Sequence, residues 1–176
     1  MGMVLKLLKW LALLIALLLI IGFFLPAKYD ASRSILIKAP PEKIQALVDS
    51  PKAWPLWSPW DGRDPNMKMT FAGPERGKGA KRSWLSKSEG NGSMEIMDIV
   101  PVNKVTYLLT LEGMGDPSNG DFVFTPAGGE TKVVWRMYGE HGKNPIHHWF
   151  ALFMDTLIGP DFEAGLKSLK ALAEKP

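Results

Sequence analysis

The sequence predicts an α+β domain in which a curved antiparallel sheet of seven strands wraps a long C-terminal helix, with an N-terminal transmembrane helix in front of it. Three observations predict this. Residues 10–25, WLALLIALLLIIGFFL, carry no charge. Between 32 and 139, seven short segments with period-two apolar patterning are set off by glycine- and proline-rich turns. From 144 to the end the apolar spacing changes to that of a helix.

The apolar run of sixteen residues spans about 24 Å as a helix. Lys9 can snorkel, and Leu5, Leu7 and Leu8 extend the apolar length. Residues 1–27 are therefore expected to be a membrane anchor, and 28–176 the folded domain. A cleaved signal peptide is the alternative. It fits less well, because Leu25 and Ala27 stand where two small residues are usual and the run is long. Lys6 and Lys9 precede the run, whereas Lys28 and Asp30 behind it cancel. The positive-inside rule then gives a single pass through the inner (cell) membrane, N-terminus cytoplasmic and the domain on the outer, periplasmic side.

Composition excludes several classes. With no cysteine there is no disulfide, no thiolate nucleophile and no thiolate metal site. Lys6 and Lys9 supply two of the formal +3 charges, so residues 28–176 carry about +1. No basic cluster interleaves with aromatics, so no nucleic-acid partner is expected. His147 and His148 are adjacent and point about 100° apart on a helix, and no HxxxH or HExxH occurs. No metal or other cofactor is expected. The three histidines read as exposed or helix-start residues. The glycines at 73, 77 and 79 lack the lysine and following helix of a phosphate loop and read as a hairpin.

The first strand is SRSILIK, 32–38, with Ile35 and Ile37 on one face. APPEKIQALVDS begins a short helix, with Glu42 in its first turn and Ile44, Leu47 and Val48 as its apolar face. WPLWSPWDGR, 54–63, follows at once. Its tryptophans at 54, 57 and 60 are three apart, and one 3₁₀-like turn would stack them on a single side. Trp57 and Trp60 are expected to pack inward, near Trp149 and Phe153 of the last helix, and Trp54 to be partly exposed. Further strands are read at 67–71, 80–87, 93–100, 104–111, 120–125 and 131–139. Met94, Ile96 and Val100 share a face that Asp98 interrupts; Val105, Tyr107, Leu109 and Leu111 share another, and Val133, Trp135 and Met137 a third. Arg136, opposite in phase to Trp135, is expected to face solvent. Gly159-Pro160 in the last helix is either a kink or a break. The six later strands need a cover for their apolar face, and the C-terminal helix is the natural one.

RSILIKAPPEKIQALVDS with the trailing WPLWSPW, GPERGKGAKRSW at 73–84, VVWRMYG at 133–139 and IGPDFEAGLKSLKALAE at 158–174 together resemble the START-like, or SRPBCC, superfamily in its polyketide cyclase/dehydrase-like branch. The resemblance covers about 31–176. It implies the helix-grip fold, a seven-stranded antiparallel sheet gripping a long C-terminal helix with a hydrophobic cavity between them. Members bind lipids, sterols, hormones or polyketides; some are enzymes, and no catalytic constellation is common to all.

The expectation that follows is a membrane-tethered module for a small apolar molecule or lipid. The candidate cavity-lining residues are Trp57, Trp60, Trp84, Met94, Ile96, Asp98, Tyr107, Leu109, Trp135, Trp149 and Phe153. Asp98 is the one ionisable side chain among them, in phase with Met94 and Ile96 unless a bulge turns it outward. No serine sits in a nucleophile elbow, and Glu163 reads as a solvent-facing helix charge. A structural or partner-binding domain and an enzyme of cyclase or hydrolase type stay open. A cavity above about 300 Å³ favours a ligand, a solid core favours the structural role, and two convergent ionisable groups in a cavity favour the enzyme.

Overall fold

The computed structural model describes residues 2–176. Helix α1, Gly2–Phe24, is long and apolar enough to cross a membrane, and its side chains are almost all exposed. There follow β1 (Lys28–Ile37), α2 (Pro41–Val48), a 3₁₀ turn at Trp54–Leu56, β2 (Lys68–Ala72), β3 (Lys81–Leu85), β4 (Gly92–Val100), β5 (Lys104–Leu111), β6 (Ser118–Ala127), β7 (Glu130–Glu140) and α3 (Pro145–Ala173). The seven strands form one antiparallel sheet in the order β1-β7-β6-β5-β4-β3-β2. β2 to β7 run as a meander, and β1 returns to close it beside β7.

The period-two pattern decides which side chains enter. Met94 and Ile96, Val105 and Tyr107, Phe122 and Phe124, and Val133 and Trp135 are all buried on the face that α3 covers with Phe162, Leu166 and Leu169. In α2, Pro41 takes the first helical position, where no N–H is needed, and Ile44 and Val48 are fully buried. In α3, the Asn144 side chain accepts from Ile146 N at 3.0 Å, capping the start beside Pro145.

α3 is one continuous helix through Gly159-Pro160. Pro160 and Thr156 are on exposed positions, so solvent can take the carbonyl that Pro160 leaves without an N–H partner. Arg33 of β1 crosses directly over Gly159, where a Cβ would overlap its guanidinium. Its bonds to Asp155 (2.7 Å) and Glu163 (2.9 Å) bridge the proline from one side to the other.

The two halves of α3 have different partners. Trp149 Nε1 donates to Leu18 O of α1 at 3.1 Å, and Phe153 is 51% exposed. The expected closure of the sheet at Trp149 and Phe153 is therefore corrected. The helix is longer than the sheet it covers, and Phe162, more than two turns later, is the residue that meets the tryptophans.

Gly120 on β6 lies opposite Tyr107, and a Cβ there would overlap the phenol ring. Gly120→Ala should destabilise the protein by about 1–3 kcal/mol through overpacking. Urea unfolding of the full chain in detergent, followed by circular dichroism, checks this.

Candidate functional site

The loop after α2 is held by its own indoles. Trp54 Nε1 donates to Val48 O at 2.7 Å and Trp57 Nε1 to Leu47 O at 3.0 Å. These are carbonyls of the last turn of α2, which a helix leaves without internal partners. Trp60 Nε1 donates to Asp161 of α3 at 2.9 Å, and Arg63 binds the same carboxylate. All three rings turn to one side and surround Trp135, with centroids at 6.0, 5.5 and 5.6 Å. Trp54, expected to be partly exposed, is only 2% exposed. Its bond to Val48 O pulls it under the loop, so Trp60 becomes the residue at the rim.

Beside this cluster lies a cleft of about 190 Å³. Trp54, Tyr107, Met94 and Leu109 line its inner part; Trp60, Trp84, Met67 and Met69 line its sides, and Met137, Leu111 and Ile158 complete the apolar wall. The volume is below the roughly 300 Å³ at which drug-sized sites begin. It is of the order of the ~150 Å³ apolar cavity that accepts a single benzene ring. Four methionines, at 67, 69, 94 and 137, give the wall adaptable side chains. Met67 and Met69 stand at the free edge of the sheet, where β2 pairs only with β3.

One ion pair is set into this apolar wall. Arg82 of β3 shares the inward face with Ala80 and donates through Nη1 to both oxygens of Asp61 at 2.9 Å. The two side chains are 6% and 7% exposed. The guanidinium lies over the Trp54 ring (4.8 Å) and the Trp84 ring (5.4 Å), and its Nε has no hydrogen-bond partner. Burial lowers the Arg82 pKa from its ordinary value, and Asp61 opposes that shift. Burial pushes the Tyr107 phenol well above its ordinary value, so it stays neutral and accepts from Trp135 Nε1 at 2.8 Å.

Residues 28–174 match the family described as polyketide cyclase / dehydrase and lipid transport. The chain belongs to this family. Protein CV1439 from Chromobacterium violaceum has the same fold, with a TM-score of 0.61 at 16% identity over 84% of this chain and 98% of that one. BexL, the di-domain ARO/CYC of the BE-7585A biosynthetic pathway, gives 0.63 at 16% identity, over 85% of this chain and 51% of that one. The Aha1 dimer from Colwellia psychrerythraea gives 0.53 at 17% identity, over 82% and 96%. At these identities the likeness is one of fold. No curated protein matches the chain significantly.

In this polyketide cyclase/dehydrase-type domain, Trp60, Trp84, Met94, Tyr107 and Leu109 come together around the cleft. Trp57, Ile96 and Trp135 lie behind the wall as solid core. Trp149 and Phe153 lie away from it, as described above. Asp98 is exposed: the register shifts between Ile96 and Asp98, and this β-bulge turns the carboxylate out of the inward phase. Arg136 faces solvent and pairs with Asp30, and Glu163 is held by Arg33.

Arg82 and Asp61 were not among the sequence candidates. The available signal is the period of two, which puts Arg82 in phase with Trp84 on one strand; Asp61, in a loop, gives none.

Of the histidines, His141 differs from expectation, since it is buried outside a helix; His147 and His148 stand at the start of α3, where His148 is also buried. The His141 ring stacks on Tyr29 at 4.8 Å, lies 5.8 Å from the His147 ring, and has no partner on either nitrogen. Burial lowers its pKa first, His147 and His148 add to this, and Asp116 opposes.

Two outcomes follow. Asp61→Asn should cost about 3–5 kcal/mol by leaving the Arg82 cation buried and unpaired, whereas the double variant Asp61→Leu/Arg82→Met should come within about 1 kcal/mol of the parent or exceed it. Chemical denaturation of the three proteins checks the contrast. For His141, the unfolded chain binds a proton before the folded one does, so stability should fall as pH drops through and below the ordinary histidine range. His141→Phe, which keeps the stack on Tyr29, should flatten that fall in thermal melts across the same range.

Proposed function

We propose that this chain is a membrane-tethered binding module for a small, mostly apolar molecule with one polar end, lipid- or polyketide-like in character. The carrying observation is the cleft itself: an apolar, methionine-rich wall containing a single buried charged pair, Arg82–Asp61. Apolar walls supply affinity, and a few polar groups set orientation. Arg82, which lines the cleft, is the cationic group that can orient a carbonyl, hydroxyl or carboxylate at the ligand's polar end. The cleft holds a group about the size of one ring. A longer ligand enters by displacement of Met67 and Met69 at the free edge of the sheet.

The family description, which includes both polyketide chemistry and lipid transport, supports the ligand class. Helix α1 supports the tether. With Lys6 and Lys9 on the cytoplasmic side, the domain of residues 28–176 lies on the outer face of the inner membrane.

An enzymatic reading draws on the same ion pair, because two ionisable groups meet in the cleft wall. Both Asp61 oxygens are engaged by Arg82, however, and Glu89, the other carboxylate lining the cleft, lies 3.7 Å from Arg63, so each has a cationic partner. The pair serves as an orienting group.

Native mass spectrometry and solvent extraction of the membrane-expressed protein should recover a bound small molecule. An apolar fluorescent probe should bind the purified chain, and Leu109→Trp, which fills the cleft, should abolish that binding. For a probe with a carboxylate end, the double variant Asp61→Leu/Arg82→Met, which keeps the fold, should weaken binding about tenfold or more, the worth of one hydrogen bond to a charged group. Empty extracts together with no probe binding would sink the proposal.

A further inference from the structure

The first half of α3 carries an apolar face that none of the described residues covers. Ile146, Phe150, Phe153 and Leu157 are spaced four, three and four apart, which places them within one narrow stripe of the helix. Each is between 45% and 57% exposed. The core-facing residues of the same half, Ala151 and Met154, lie away from this stripe.

Two features say what covers the stripe. First, it begins on the part of α3 that touches α1. His148 Nδ1 lies 2.8 Å from Gly22 O, Trp149 Nε1 donates to Leu18 O, and Pro145 packs on Gly22 so closely that a Cβ there would overlap it. Beyond Leu157 the same helix face continues as Pro160, Ala164, Ser168 and Ala171, small or polar residues. The apolar surface therefore begins beside the C-terminal end of α1 and ends at Leu157, before the half of α3 that seals the sheet. Second, the stripe is small. Four half-exposed side chains of this size present roughly 400 Å², about half of the ~800 Å² per partner in a stable protein interface.

We infer that the first half of α3 lies against the lipid bilayer, as a second membrane contact continuous with α1. The inference rests on the reading of α1 as a membrane span. With the C-terminal end of α1 at the outer membrane surface, the α1–α3 contacts hold Ile146, Phe150, Phe153 and Leu157 at the level of the lipid interface, where an amphipathic helix buries its apolar face. The contact fixes the domain in one orientation on the membrane instead of leaving it on a loose tether.

The chain has no cysteine, so single probes are easily placed. The full chain carrying Leu13→Cys (α1), Phe153→Cys or Ile146→Cys (stripe), or Ala171→Cys (same helix face, beyond the stripe) is labelled with an environment-sensitive fluorophore. Each is reconstituted into phosphatidylcholine/phosphatidylglycerol vesicles containing lipids with a nitroxide on the acyl chain. Quenching at Leu13, and quenching at both stripe positions several-fold above that at Ala171, is the expected result. Quenching at Leu13 with none at Phe153 and Ile146 leaves the anchor standing and overturns the α3 contact. No quenching at any position overturns both. Equal quenching at Phe153 and Ala171 overturns the defined orientation. Cross-linking between copies at Phe153→Cys without lipid quenching assigns the stripe to self-association and also overturns the contact.

Discussion

Trp135 is fully buried at the centre of the sheet, and three separate parts of the chain are packed on it. Phe162 of α3 stacks on its ring at 4.2 Å and an interplanar angle of 9°, and Phe122 of β6 at 4.9 Å. The tryptophans of the loop meet the ring edge-on. Gly165 lets α3 come this close, since a Cβ there would stand 2.8 Å from the indole. Aromatic pairs at these separations contribute roughly 0.5–1.5 kcal/mol each beyond the area they bury. Sheet, loop and C-terminal helix are thus positioned by a single side chain, and removing it would uncouple all three.

The cleft is a by-product of this arrangement. The loop tryptophans fill the space over Trp135 and Phe122, but their bulk ends at Trp54 and Trp60. Between them and β3 the wall is finished by methionines and by the Arg82–Asp61 pair. A buried ion pair is a poor device for stability, because desolvation of two charges offsets most of their attraction.

α3 divides its length between two tasks. Its second half seals the sheet through Phe162, Leu166 and Leu169. Its first half turns to α1, to which it is tied through the carbonyls of Leu18 and Gly22. His148 faces Gly22 O from one ring nitrogen at 2.8 Å and Gly142 O from the other at 3.0 Å. The joint between α1 and the domain is therefore a defined contact.

The seven strands, the short helix, the long helix and the apolar N-terminal helix were all legible in the sequence, because local spacing records which face of an element is apolar. Five of the cleft residues, Trp60, Trp84, Met94, Tyr107 and Leu109, followed from the same spacing. What spacing cannot record is which distant segment each face will meet. Trp54 was drawn inward by a carbonyl at the end of α2, and Asp98 was turned outward by one extra residue in β4. Trp149 and Phe153 were displaced from the cleft because α3 outruns the sheet, and Arg82 found its carboxylate in a loop 21 residues away. The amino-acid sequence by itself determined the elements and their buried faces, since these depend on residues two positions apart in a strand and three or four in a helix. The tertiary structure alone decided the cleft, its charged pair and the joint with α1, since these depend on contacts between segments that are far apart in the chain.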